Sequence, residues 1–178
     1  MNRALPAVRL RVPTHEDAFA WHRIFADPDV MEFHGGAPAE LSVYEELTAR
    51  QRRHDAALGF CLWSMLDESG RVIGFTGAQP WERDWGPTGE IEIGWRLARE
   101  YWGRGFVTAA ARQTLERVTA AGTKDVVAMV DAGNARSVAV TRRLGMRLAD
   151  TFTIPGSRRE GHCYRLDLRL PPGNRHTR

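Results

Sequence analysis

The sequence contains little cysteine and no long apolar run. Only Cys61 and Cys163 occur among the 178 residues, and they do not form a C-x-x-C pair. This count predicts packed, reduced thiols and argues against a disulfide framework or a thiolate metal site. No apolar run reaches the ~18 residues that a membrane-spanning helix needs, and the N-terminus lacks the apolar region of a secretory signal. We therefore expect a cytoplasmic protein that does not associate with membranes.

The chain also lacks a large excess of charge of either sign. The chain has 25 basic and 22 acidic residues, a net charge of only +3, and Lys124 is its single lysine. The arginines are scattered and form no basic block, so nucleic acid is not the expected partner. The small positive excess weakly favours a phosphorylated ligand. No H-x-x-x-H pair or carboxylate cluster has the spacing of metal ligands, so we predict no metal.

Length and hydrophobic periodicity predict one α/β domain over residues 1–170, followed by a disordered tail over 171–178. In the first third of the chain, Val8 to Val12 alternates as a strand. Thr14 with Asp17, and then Ser42 with Glu45, resemble capping boxes that open two helices. We expect the first helix to end at Asp27-Pro28 and the second near Asp55, before Gly59.

Strands and helices alternate in the remaining two thirds of the chain. A short D-E-S-G turn predicts a hairpin, and the residues from Gln79 to Thr88 are rich in proline, glycine and tryptophan, which is typical of a loop. Helices are expected to end near Gly122 and Gly145. The predicted elements are strands Phe60 to Leu66, Arg71 to Ala78 and Gly89 to Leu97, a helix from Phe106 to Ala121, a strand Asp125 to Val130, a helix from Asn134 to Leu144, and strands Met146 to Ile154 and Gly161 to Leu170.

The most informative segment runs from Glu90 to Ala111, where an alternating strand leads through a short connection into a helix. Gly103 and Gly105 lie where the chain turns into that helix. Without side chains at this turn, backbone N–H groups are free to point at a ligand, and the helix start favours negative charge. The segment therefore predicts a site for an anionic group such as a pyrophosphate.

Three motifs in this order resemble those of the GNAT superfamily of acetyl-CoA-dependent N-acyltransferases. W-G-R-G-F-V-T, from Trp102 to Thr108, is similar to its pyrophosphate loop Q/R-x-x-G-x-G/A, with Trp102 and Val107 as departures. G-E-I-E-I-G-W-R-L resembles the preceding strand of the ribosomal-protein N-terminal acetyltransferases (RimJ/RimL-type). N-A-R-S-V-A-V-T-R-R-L-G-M resembles the helix that ends in L-G-F or L-G-M. The resemblance, from Val8 to Leu168, implies a mixed sheet of about seven strands with helices on both faces and a splayed parallel pair, strands 4 and 5.

The resemblance implies acetyl-CoA as co-substrate and assigns the residues that would hold it. Main-chain groups of Trp95, Arg96 and Leu97 would pair with the pantetheine arm, much as an added strand does. Asn134 would hydrogen-bond the arm, with Ser137 one turn further on the same helix face. The pyrophosphate would bind Gly103, Arg104, Gly105, Phe106, Val107 and Thr108.

Acyl transfer to an amine needs a base, an oxyanion donor and a proton for the leaving thiolate. Glu92 is the candidate base, directly or through water, and Glu90 shares its strand face by period-two spacing. The alternative is that either is an ordinary exposed carboxylate. A backbone N–H near Trp95 or Arg96 would stabilise the oxyanion. Thr141 stands where relatives place a tyrosine acid, and a threonine hydroxyl is too weak an acid for that role.

Residues before the sheet and in the aromatic loop are candidates for binding the acceptor. His22 and His34 precede the sheet, although a lone histidine is usually structural or solvated. Phe33, Trp81 and Trp85 are large aromatics that can line an acceptor pocket or simply pack. We expect Phe33, His34 and Trp85 to bind the acceptor. By contrast, Trp21, Trp63 and Phe75 lie on apolar faces and are predicted to be core.

These features favour an acetyl-CoA-dependent N-acetyltransferase that acts in a ternary complex on a primary amine. The acceptor is a protein N-terminus or a small amine such as an aminoglycoside or a polyamine. The alternative is a CoA-binding sensor without turnover. The missing tyrosine favours this alternative, whereas the glycine loop and Glu92 favour an enzyme. A nucleotide-binding βαβ module is disfavoured because G-x-G-x-x-G does not directly follow the strand. A homodimer is possible, and the acyl chain length is open.

Overall fold

A computed structural model describes residues 4–169; the predicted tail over 171–178 and Leu170, the predicted end of the last strand, lie outside this range. The described residues form seven strands, five α-helices and a 3₁₀ turn at Arg99–Tyr101. The elements are β1 (Arg9–Arg11), α1 (Asp17–Ile24), α2 (Pro28–Met31), α3 (Leu41–Leu58), β2 (Leu62–Leu66), β3 (Val72–Pro80), β4 (Ile91–Leu97), α4 (Phe106–Ala120), β5 (Asp125–Asp131), α5 (Ala135–Arg143), β6 (Arg147–Thr153) and β7 (Glu160–Asp167).

All seven strands form one mixed sheet in the order β1-β2-β3-β4-β5-β7-β6. Every neighbouring pair is antiparallel except β4 and β5, which are parallel and paired at Glu92 and Val127. Each of these two strands has seven residues, but they pair at only one position, near their amino ends. Beyond this position, toward their carboxyl ends, the two strands therefore diverge. The predicted fold, including its splayed parallel pair, is confirmed.

Both faces of the sheet are buried, which explains the continuous burial of the five residues of β2. One face packs against α4 and contains Trp63, Met65 and Ile73. The other face packs against α1, α2 and α3 around Trp21 and Phe75. The prediction that Trp21, Trp63 and Phe75 are core residues is confirmed, since their exposed fractions are 0%, 2% and 6%.

The predicted helix starts were partly wrong. Regular α1 begins at Asp17, and the only trace of the predicted capping box is the Thr14 N–H, which donates to the Asp17 carboxylate over 3.0 Å. That carboxylate also accepts from Arg11 and from Ser64, so it links α1 to β1 and β2. Helix α3 begins at Leu41, one residue before the predicted cap Ser42, and its N-cap has no side-chain hydrogen bond.

Two further differences concern the connections. Helix α2 was not predicted, and it starts at Pro28 after the Asp27 side chain caps the Asp29 N–H. The predicted loop from Gln79 was also wrong at its start, because β3 continues to Pro80. Pairing with β4 extends the strand and sets Gln79 opposite Glu92.

Among residues 4–169, no helix combines the length and the apolar character needed to cross a membrane. The cytoplasmic location and the possible homodimer stay predictions.

Candidate active site

Two adjoining cavities open where β4 and β5 diverge. The glycine-loop cavity, about 1060 Å³, lies between the carboxyl end of β4 and the starts of α4 and α5. The Glu92 cavity, about 710 Å³, lies over β3, β4 and the carboxyl half of β5. The two cavities are lined in common by Phe33, His34, Trp95, Arg96, Asn134 and Ser137. A ligand in one cavity can therefore reach a ligand in the other.

The glycine-loop cavity has the backbone geometry of an anion site. Gly103 and Gly105 have φ angles of 70° and 90°, a left-handed conformation that glycine adopts without strain. Gly105 is the N-cap of α4, and Ala109 donates the first bond within the helix to the Gly105 carbonyl. The amides just before Ala109 consequently have no partner inside the helix and face negative charge favourably.

Every residue predicted from the sequence to hold the cofactor lines the glycine-loop cavity. Sequence reasoning missed three arginines there, Arg112, Arg136 and Arg143, which join the predicted Arg104. Helical spacing could have revealed two of them, because Arg136 and Arg143 lie two turns apart on α5 and so share a helix face. Guanidinium groups bind phosphate through bidentate hydrogen bonds, so this cavity suits a ligand with several phosphates.

Trp102, a departure from the family loop, has a structural role. Its indole Nε1 donates to the Leu97 carbonyl over 2.9 Å, which ties the turn after β4 back to that strand. The Arg136 guanidinium lies 3.9 Å from the centre of its ring. Trp102 thus connects β4, the glycine loop and α5, although it lacks the side-chain chemistry of Gln or Arg.

The start of α5 holds two predicted ligand-binding side chains in fixed positions. The Asn134 Oδ1 accepts from the Ser137 N–H over 3.1 Å, which confirms Asn134 as the N-cap. Its amide Nδ2 is not used in this cap, and Asn134 lines both cavities. The Ser137 hydroxyl accepts from the Trp95 indole over 3.2 Å, which joins α5 to β4 across the gap between the strands.

Glu92 lies in the second cavity with its carboxyl group close to Gln79 and the charge of Arg83. Desolvation raises the pKa of Glu92 to about 7, although the Gln79 hydrogen bond and then Arg83 lower it. A carboxyl group with this pKa exchanges a proton near neutral pH. Glu92 is therefore a candidate for proton transfer in this cavity.

A chain of side-chain amides fixes the donor that faces Glu92. The Leu62 N–H donates to the Gln51 Oε1 over 2.8 Å, so the fully buried Gln51 must present its Nε2 on the other side. That Nε2 donates to the Gln79 Oε1 over 2.9 Å. Gln79 is thereby left with its Nε2 as a donor toward the Glu92 carboxylate.

The other acid and base candidates do not enter the site. Glu90 was expected on the face of Glu92, but its carboxylate forms an ion pair with Arg165 on β7, and it lines neither cavity. It is an ordinary structural carboxylate. The Thr141 hydroxyl is buried and donates to the Val138 carbonyl over 2.8 Å, so it also lies outside both cavities.

The three residues expected to bind the acceptor all line the Glu92 cavity. The Arg159 guanidinium lies 4.8 Å from the centre of the Phe33 ring. Trp85 is half-buried, and its ring packs against those of Trp81 and Phe152. His34 is an exposed residue at the mouth of the cavities, whereas His22 lines neither. Although part of the residue is open to solvent, the protein atoms around its imidazole desolvate it, and this desolvation and then the charge of Arg96 lower the pKa of His34.

The match to known families agrees with this geometry. Residues 7–147 match the acetyltransferase (GNAT) domain family. The chain is 30% identical over 148 residues to the uncharacterised protein YkkB of Bacillus subtilis, covering 82% of this chain and 84% of that protein. It is 28% identical over 115 residues to the L-methionine sulfoximine/L-methionine sulfone acetyltransferase of Pseudomonas aeruginosa, covering 64% of this chain and 67% of that enzyme.

A solved structure shares the fold. The Salmonella typhimurium protein yncA, solved with its cofactor acetyl-CoA, superposes with a TM-score of 0.72 at 16% identity, covering 91% of this chain and 94% of that one. Members of the family use acetyl-CoA as acetyl donor, and the glycine-loop cavity contains the backbone amides and arginines that such a donor requires. The match over residues 7–147, together with the splayed sheet, shows that this chain belongs to the GNAT family of acetyltransferases.

Proposed function

We propose that the protein transfers an acetyl group from acetyl-CoA to the primary amine of a small molecule by direct attack in a ternary complex. The observation that carries the proposal is the position of Glu92. Its carboxyl group, with a pKa of about 7, lies in a cavity that adjoins the anion-binding one at the gap between β4 and β5. A base and a thioester can therefore meet at this gap.

The proposed reaction needs no covalent enzyme intermediate. The amine nitrogen attacks the thioester carbonyl, and Glu92 takes a proton from the nitrogen, directly or through water. A backbone N–H near Trp95 or Arg96 would stabilise the oxyanion. Collapse of the intermediate breaks the C–S bond, and water protonates the departing CoA thiolate. Thr141 takes no part, because its hydroxyl is committed to the Val138 carbonyl.

A small acceptor is proposed in preference to a protein N-terminus, the acceptor of the RimJ/RimL-type subgroup. The support is twofold. The Pseudomonas aeruginosa relative is named for small amino-acid-like acceptors, L-methionine sulfoximine and L-methionine sulfone. The Glu92 cavity, at about 710 Å³, is also of the size that accommodates a small molecule.

The test is thiol release from acetyl-CoA with a panel of primary amines, with the acetylated product confirmed by mass spectrometry. We expect turnover with at least one amine and a loss of about 10²–10⁴-fold in kcat for Glu92→Gln. Glu90→Gln is the matched control, since Glu90 lies two residues away and outside both cavities. Binding of acetyl-CoA without turnover on any amine would favour the sensor alternative and contradict the proposal.

A further inference from the structure

Three cross-strand pairs form the floor of the Glu92 cavity on the face toward α1, α2 and α3. Gln79 pairs with Glu92, Gly77 with Gly94, and Phe75 with Arg96. The middle pair has no side chains. A Cβ atom added at Gly94, which lines the cavity, would meet nothing within 4 Å, whereas one added at Gly77 would clash with the Cys61 carbonyl. The floor is therefore an open trough with a carboxyl group at one end and a guanidinium group at the other.

Arg96 lacks a counter-ion at its end of the trough. Its guanidinium lies 4.8 Å from the centre of the Phe25 ring and 5.4 Å from that of Phe75, and its Nη1 is 3.6 Å from the Met31 sulfur. Within residues 4–169 no carboxylate forms an ion pair with it. Its buried Nε has no hydrogen-bond partner there either.

The surroundings of Arg96 leave it charged but poorly compensated. The Tyr44 hydroxyl faces the guanidinium but makes no hydrogen bond of ordinary geometry. Desolvation lowers the pKa of Arg96 only to about 10, so it stays protonated at neutral pH. Arg50, on the same cavity, also has a buried Nε without a partner. A desolvated cation without a counter-ion is costly, and an anionic ligand relieves that cost.

We propose that Arg96 binds the carboxylate of the acceptor, so that the substrates are small amino acids or amino-acid-like amines. This inference rests on the proposed function for the position of the amine beside Glu92. The Cα atoms of Glu92 and Arg96 are about 13 Å apart at ~3.3 Å per strand residue. The two side chains, on the same face of β4, together with a molecule that carries an amine and a carboxylate, can bridge that span.

The trough disfavours the other acceptors. A polyamine would place a second cation near Arg96 and gain nothing from it. A protein N-terminus would present neutral peptide groups there, because its terminal carboxylate lies far along the chain. An α-amide of an amino acid has nearly the same size as the acid but no negative charge, and one acceptor oxygen is replaced by an NH2 donor, so it is the matched probe for carboxylate binding.

The experiment measures binding to the protein saturated with CoA, which separates acceptor recognition from turnover. The twenty amino acids, their α-amides and spermidine are titrated calorimetrically against wild type, Arg96→Met and Arg96→Lys. Methionine keeps an unbranched apolar side chain beside the Phe25 and Phe75 rings, and lysine keeps the charge. Arg71→Met is the control, since Arg71 is an exposed residue paired with Glu100.

We expect at least one amino acid to bind wild type and Arg71→Met about tenfold or more tightly than its amide, as a charge-assisted hydrogen bond allows. Arg96→Met should abolish this preference, Arg96→Lys should retain part of it, and CoA affinity should stay within about twofold. Equal binding of acids and amides, no binding of any amino acid, or an unchanged preference in Arg96→Met would overturn the proposal. Discrimination without thiol release would instead contradict the proposed function alone.

Discussion

Replacing Glu92 by glutamine should stabilise the protein at alkaline pH while it removes the proposed base. Because the folded state raises the pKa of Glu92 from 4.5 to about 7, folding favours the protonated carboxyl group. Stability from this residue is complete at low pH and falls as pH rises from about 4.5 to 7. At ~1.4 kcal/mol per pKa unit, the ionised carboxylate costs the folded state about 3 kcal/mol above pH 7.

Urea denaturation at a series of pH values measures this cost. We expect the free energy of unfolding of Glu92→Gln, relative to wild type, to increase by about 3 kcal/mol between pH 4.5 and pH 8 and then to level off. In thermal denaturation, this corresponds to a Tm difference that grows by roughly 6–12 °C over the same range. The Gln79 amide can still donate to the oxygen of the new side chain.

Glu90→Gln is the control for a general effect of removing a carboxylate. Glu90 is paired with Arg165, so its replacement should stabilise the protein at no pH. A stability difference between Glu92→Gln and wild type that does not change with pH would refute the reasoning. It would show that Glu92 titrates in the folded state as it does in the unfolded chain.

The remaining predictions concern three positions around the site. Gln79→Met removes the donor to Glu92, so the midpoint of the pH–rate profile should rise by about half a unit or more above that of wild type; an unchanged midpoint would contradict the amide chain. Gly105→Ala should cost about 1–2 kcal/mol in backbone strain and weaken acetyl-CoA binding about tenfold by calorimetry, whereas Gly122→Ala, also at φ 90°, should show the strain alone. Thr141→Tyr should lower stability to urea by about 1–3 kcal/mol through overpacking and give no increase in kcat, since Thr141 is buried and lines neither cavity; a faster variant would contradict this.

Local patterns predicted most of the fold because they agree with the tertiary structure. The glycines at 103 and 105 mark a turn that requires positive φ, and Asn134 marks a helix start with a side-chain cap. Where a competing contact decides the outcome, the pattern misled. Ser42 looks like a cap, yet α3 starts at Leu41, and Gln79 looks like loop, yet pairing with Glu92 continues β3.

The residues proposed to bind the cofactor, mainly through their backbone, were predictable from the sequence. The side chains that meet in the site from distant parts of the chain were less so. The candidate cofactor residues were predicted as a group because they fall in three short segments, 95–97, 103–108 and 134–137. Gln79 and Arg96 come from different strands, so only the folded chain shows that both line the Glu92 cavity and that Gln51 of α3 holds Gln79 there. Period-two spacing put Glu90 beside Glu92, but it could not reveal that Arg165 on β7 binds Glu90.

The most direct test of the central claim is the single-turnover rate of acetyl transfer from the preformed acetyl-CoA complex, measured against pH with one active amine. In wild type we expect a rise in rate with a midpoint near pH 7, in addition to any titration of the amine itself. In Glu92→Gln this rise should be absent and the rate lower by about 10²–10⁴-fold, with acetyl-CoA affinity unchanged. An identical pH profile and rate in the two proteins would contradict the assignment of Glu92 as the base.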